Sequence, residues 1–270
     1  MKARVLFGVF GFAFVLLALY VFPPIVLELV VAALCVFATY EVLGSTKLVR
    51  NHLELLLAMA VSLGLAVGHF SILPLRLESV MQGLVLVLVL LFGSFAIELK
   101  YHDVMKASQV SWAFFGGLAV PYLLLVAARP MHPPGLHRAA AAACAWGADT
   151  CALFSGMLFG KHKLAPVVSP KKTVEGAVGG VVGGAVLVLI AAVIMNRTLD
   201  LEMPLWSAVV LGAVGAVLGE IGDLSFSVIK RQTGIKDYGH IFPGHGGVLD
   251  RFDSVLFVAP FAELLFRIIW

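Results

Sequence analysis

Glu220, Asp223, Ser227 and Lys230 follow one another at intervals of three, four and three residues, so on a helix they share one face. Beyond a short polar loop, Asp250 and Asp253 stand three apart at the start of the next apolar run, where a helix N-terminus favours acids. The stretch KDYGHIFPGHGGVLDRFD, residues 236–253, sets five charged residues, two histidines and four glycines into a chain that is otherwise mostly apolar. Clustered carboxylates repel one another unless a cation lies among them. Mg2+ suits such a cluster, because it takes one or two carboxylates, keeps some waters and shares its other positions with phosphate oxygens. The glycines of PGHGG allow backbone N–H groups to approach a phosphate closely. Lys230, Arg231, Lys236 and Arg251 carry charge that would neutralise it, Arg by bidentate contact and Lys as a point charge. The plainer alternative is a solvated loop whose acids and bases pair with each other. It accounts for each residue singly but not for the constellation.

The elements that must position these groups are apolar. Of 270 residues, 61% are hydrophobic and 13% charged, and the mean hydropathy is +1.02. A soluble domain carries roughly 25% charge. Runs of about 20 apolar residues, enough to cross a bilayer, recur from end to end. Strand-like alternation is missing, and a lipid-exposed backbone must bond within itself, so the fold class is all-α, a polytopic integral membrane protein. Apolar runs punctuated by Pro, Gly and charge give about nine transmembrane helices: 5–22, 24–43, 54–73, 79–97, 109–128, 138–160, 174–195, 204–229 and 252–269. The first run follows Lys2 and Arg4 but has no clear small-residue cleavage site, so it reads as a retained helix. Residues 1–140 form the N-terminal helices and 141–270 the helices with the chemical motifs, in one continuous membrane domain. Cys35, Cys144 and Cys151 lie in apolar runs and read as small buried hydrophobes.

With the N-terminus in the cytosol, fourteen of the nineteen basic residues fall inside, and only Arg76, Arg129, Arg138, Arg197 and Arg267 fall outside. The polar loop at 230–251 is then cytosolic. The net charge of +3 is too small to argue for nucleic acid.

A second cluster is GKHKLAPVVSPKKTVEG, residues 160–176. Ser169 followed by Pro170 reads as a helix N-cap and first helical position. Lys171 and Lys172 then fall in a first turn, where cations oppose the helix dipole unless an anion docks there. Anchoring by the positive-inside rule also explains basic residues here. Two spans separate this cluster from the 236–253 loop, so both lie on the same membrane face. Asp149 is a lone acid in the sixth run, either lining the same cavity or pairing with a buried base. Gly176, Gly180 and Gly184 stand at the spacing of close helix packing.

At these residues the chain resembles a known family. SVIKRQTGIKDYGHIFPGHGGVLDRFD, 227–253, is similar to the C-terminal motif of the CDP-diacylglycerol synthases (phosphatidate cytidylyltransferases). FGKHKLAPVVSPKKTVEG, 159–176, and ADTCALFSG resemble two further segments of that family. The likeness covers about the C-terminal half; Leu153 and Cys151 depart from it. The resemblance implies transfer of CMP from CTP to phosphatidic acid, with Mg2+, at the cytosolic face of the cell (inner) membrane. It makes Asp223 and Asp250 the candidate cation ligands and catalytic groups, with Asp253 and Glu220 supporting and Lys230 catalytic. Ser169, Lys171, Lys172, Lys230, Arg231 and Arg251 would hold phosphates, while Lys236, His245, Gly246 and Gly247 shape the loop. CTP, phosphatidic acid and membrane lipid are the expected partners, and a homodimer stays open. Two rivals remain: a cation-coupled transporter, since intramembrane acids and glycine-rich helices occur there too, and a transferase that couples a nucleotide to another lipid.

Overall fold

A computed structural model describes residues 24–69, 79–101, 106–128, 136–198, 203–242 and 246–269. The expected first span, 5–22, lies outside them. Each of the other eight runs is a helix. They are α1 (Pro24–Tyr40), continued by a π-helical turn (Glu41–Ser45), α2 (His52–His69), α3 (Ser79–Lys100), α4 (Ala107–Phe114), joined by a second π turn (Phe115–Ala119) to α5 (Val120–Ala128), α6 (Leu136–Phe159), α7 (Val174–Thr198), α8 (Leu205–Gln232) and α9 (Leu249–Ile269). Among the described residues six spans are long and apolar enough to cross a membrane: Ile25–Ser45, His52–His69, Met81–Lys100, Ala107–Ala128, Val174–Thr198 and Leu205–Gln232. The protein is an all-α polytopic membrane protein. The expected count of nine is not established, because α6 and α9 are helices outside that set of six.

The chain forms two compact units. One comprises residues up to Leu125 together with Thr233–Arg251; the other comprises Val126–Gln232 and Phe252–Trp270. In the first unit the π turns serve helix approach. The Thr39 hydroxyl donates to the Cys35 carbonyl (2.9 Å) and lies 2.8 Å from the Gly116 carbonyl, and at Gly117 an added Cβ would sit 3.1 Å from that of Ala58.

The second unit packs through small residues. Gly176, Gly180 and Gly184 on α7 are buried and lie against Gly156, Ala152 and Ala148 of α6, as their spacing predicts. Gly184 and Gly212 bring α7 and α8 together, and Gly219 and Gly222 bring α8 against Ser254, Asp253 and Phe257 of α9. Below them Val188, Leu211, Val258, Ala262 and Phe266 form part of an apolar core.

One element departs from the helical expectation. Ser169 is not a helix cap and Lys171 and Lys172 are not in a first turn: residues Ser169–Thr173 form strand β2, antiparallel to β1 (Lys163–Ala165). A residue before proline avoids helical dihedrals, which holds Ser169 extended. The cap is Thr173, whose hydroxyl accepts the Gly176 N–H at 3.1 Å.

Backbone-to-backbone approach at Gly212 leaves no room for a side chain, since an added Cβ would lie 2.5 Å from the Ala185 Cα, whereas Gly83 has open space around it. Gly212→Ala should therefore destabilise the detergent-solubilised protein by about 1–3 kcal/mol, and Gly83→Ala should leave it unchanged or slightly more stable. Equal thermal melting of the two variants would contradict this packing.

Candidate active site

The hairpin delivers one lysine to the polar face of α8. Along β2, Pro170 and Lys171 are exposed while Lys172 is half-buried and Thr173 buried. The Lys172 ammonium lies 2.7 Å from Glu220 Oε1 and 2.7 Å from Asp223 Oδ2. Asp223 also accepts the Ser227 hydroxyl on Oδ1 at 3.2 Å. Burial works against the charge of Lys172, but Asp223 and then Glu220 outweigh it and hold the ammonium above the ordinary lysine range. The predicted stripe of Glu220, Asp223, Ser227 and Lys230 is thus one face of α8, with Ser227 and Lys230 buried.

Two more acids join this face. Asp253 on α9 is 8% exposed and accepts the Ser254 N–H at 2.9 Å. The Ser254 hydroxyl lies 3.1 Å from Asp149 Oδ2 on α6. Asp149 is within electrostatic reach of Lys172, Asp223 and Glu220, and Asp253 within reach of Asp223 and Lys230. Asp149 thus stands near both the acids and the Lys172 ammonium, so lining the same cavity and pairing with a buried base both remain open for it. Four carboxyl groups and two lysines therefore share this face, and Glu220 and Asp223 are the two acids paired with Lys172. Among the described residues no three His, Cys, Asp or Glu side chains close into a metal cage. Glu220 and Asp223 nevertheless already converge on one positive charge, and Mg2+ needs only one or two carboxylates beside water and phosphate. The donor set fits.

The hairpin is pinned at both ends. Glu175, in the first turn of α7, accepts the backbone N–H of Lys161 (3.0 Å) and of His162 (3.1 Å) and the His162 ring nitrogen at 2.6 Å. Arg231 donates from Nε to the Val168 carbonyl at 3.1 Å, so this expected phosphate ligand also ties the hairpin turn to the end of α8.

The loop belongs to the other unit. Asp250 Oδ2 accepts the N–H groups of Tyr238 (2.8 Å) and Gly247 (2.9 Å), which gives this expected cation ligand a loop-holding role as well. Gly246 has φ +83°, a left-handed conformation that favours glycine. Lys236 and Arg251 are exposed. His245 lies outside the described residues. Sequence spacing missed Glu41, whose carboxylate accepts the Val248 N–H on Oε1 and the Leu249 N–H on Oε2, both at 2.9 Å. No local signal marks it, since its partners lie 207 and 208 residues away. Glu175 was equally unmarked.

The pattern described as the cytidylyltransferase family matches residues 2–269 of this chain. A Staphylococcus saprophyticus protein named phosphatidate cytidylyltransferase is 47% identical over 120 residues, 44% of this chain and 45% of that protein. Proteins of the same name from Staphylococcus epidermidis and Staphylococcus aureus are 45% and 44% identical over the same shares. The matched segment spans about half the length of these curated relatives.

The carboxylates that keep Lys172 protonated also keep it unreactive. Amine acylation at mildly alkaline pH, read by mass spectrometry, should modify Lys171 faster than Lys172. In Asp223→Asn one of the groups that raises the Lys172 pKa is gone, the neutral amine fraction grows, and Lys172 should react faster while Lys171 is unchanged. An unaltered Lys172 rate would contradict the pairing.

Proposed function

The chain belongs to the cytidylyltransferase family, and on that footing we propose that it transfers CMP from CTP to phosphatidic acid, giving CDP-diacylglycerol and pyrophosphate. The observation that carries this reading is the Lys172 ammonium held between Glu220 and Asp223, beside Asp149, Asp253 and Lys230. A transporter site has no evident need for a hairpin that brings a lysine to two acids.

In the proposed reaction a phosphate oxygen of phosphatidic acid forms a bond to the α-phosphorus of CTP. The bond from that phosphorus to the bridging oxygen breaks, and pyrophosphate leaves with the electron pair. Such a transfer depends on positioning and charge neutralisation more than on a covalent nucleophile. Lys172 and Lys230 set positive charge beside the reacting phosphates, and exposed Lys171 draws the anionic substrates in. Asp223, with Glu220 and Asp253 behind it, would hold Mg2+, which when bound neutralises triphosphate charge and polarises phosphoryl oxygens. Ser227 and Lys172 keep the Asp223 carboxylate in place. Lys236, Gly246, Gly247 and Arg251, which the family resemblance assigns to phosphate binding, lie on the 233–251 loop, with Asp250 holding its backbone. The basic residues on the loop side support an orientation with this chemistry at the cytosolic face of the cell membrane, where CTP is available and the acyl chains stay in lipid.

Purified protein in detergent, supplied with CTP, phosphatidic acid and Mg2+, should release pyrophosphate only when all three are present. Release with another lipid phosphate or a lipid alcohol and none with phosphatidic acid would move the assignment to a different lipid acceptor. Silence with every lipid would favour the transporter. Asp223→Asn should lower turnover by about 10²-fold or more, the scale of losing one aligned electrostatic group, and full activity in that variant would remove Asp223 from the site.

A further inference from the structure

Glu41 is the one acid of the N-terminal helices whose two carboxylate oxygens both reach backbone of the 233–251 loop among the hydrogen bonds described. It opens the π turn Glu41–Ser45 and is 1% exposed. Burying a carboxylate in an apolar unit is costly unless its oxygens are bonded, and here each takes one backbone N–H. Those donors, Val248 and Leu249, are at the start of α9, so Glu41 caps that helix from outside its own sequence, where negative charge is favoured. Two loop glycines make the approach feasible. A Cβ added to Gly239 or to Gly247 would collide with the Glu41 carboxyl group. Asp250, in the first turn of α9, takes the N–H groups of Tyr238 and Gly247. Two carboxylates thus collect four backbone N–H groups, from Tyr238, Gly247, Val248 and Leu249, and the Tyr238 side chain is itself buried.

We propose that Glu41 is a positioning residue for the transfer reaction, acting through the loop: it sets the register of Gly246, Gly247, Asp250 and Arg251 from the N-terminal helices. The inference rests on the transferase reading for its effect on turnover, but not for its effect on the loop. π turns recur at functional sites, and this one sets the carboxylate at the point where the loop backbone passes. A displacement of about 1 Å in a positioning group is enough to cost roughly 10²-fold in rate.

The test uses the full chain with Glu41→Gln and, independently, Gly247→Ala, which pushes the loop off the carboxylate without altering it. Three quantities are read: thermal melting, amide hydrogen exchange of residues 238–249, and turnover with CTP and phosphatidic acid. In both variants exchange at 246–249 should rise at least about tenfold while the hairpin at 163–173 exchanges as in the parent. Turnover should fall at least about tenfold in kcat, beyond any fraction unfolded at the assay temperature. Loop exchange unchanged in both variants would overturn the proposal, and so would faster exchange with parental kcat. If the parent itself makes no product, the transferase reading fails and the turnover effect proposed for Glu41 falls with it. The exchange data then still decide whether Glu41 holds the loop.

Discussion

A lysine ammonium between two carboxylates is the contact around which the second unit is arranged. Lys172 reaches Glu220 and Asp223 from a strand, while the acids lie on a helix long and apolar enough to span the membrane. A charge left alone in such half-buried surroundings is costly, because its lost partner is only partly replaced by water. The hairpin must therefore hold its lysine firmly, and Glu175 and Arg231 do so at its two ends. The glycine seams between α6, α7, α8 and α9 serve the same end, since only close backbones bring Asp149, Glu220, Asp223 and Asp253 to one place.

The first unit solves a different problem with the same chemistry. A loop of glycines and polar residues offers several backbone N–H groups that need acceptors once they are buried. Glu41 and Asp250 supply them. A carboxylate in this protein is as much a backbone organiser as a reactive group. The expectation that the loop glycines free their N–H groups for phosphate is refined accordingly: the Gly247 N–H is bonded to Asp250, and the missing side chain of Gly247 makes room for Glu41.

Much of this was legible in sequence because membrane helices obey a simple physical filter. Apolar runs placed α1 to α9 to within a few residues, and spacing placed Glu220, Asp223, Ser227 and Lys230 on one face. The glycine repeat in α7 foretold its packing. The hairpin was not legible, because Ser169-Pro170 carries a helix-start signal as well as an extended one, and Thr173 took the cap instead. Nor was the pairing of Lys172 with two acids, since they lie 48 and 51 positions further along and no local spacing marks them. Glu41 was invisible for the same reason on a larger scale: contacts across 200 residues leave no local pattern.

The most direct test of the account follows two phosphorus atoms. CTP labelled at its α-phosphorus, or separately at its γ-phosphorus, is incubated with phosphatidic acid, Mg2+ and the purified protein, and the lipid fraction is extracted. The account predicts α-label in the lipid and γ-label left in water as pyrophosphate. Label from the γ-position in the lipid, or no label from either, would contradict it.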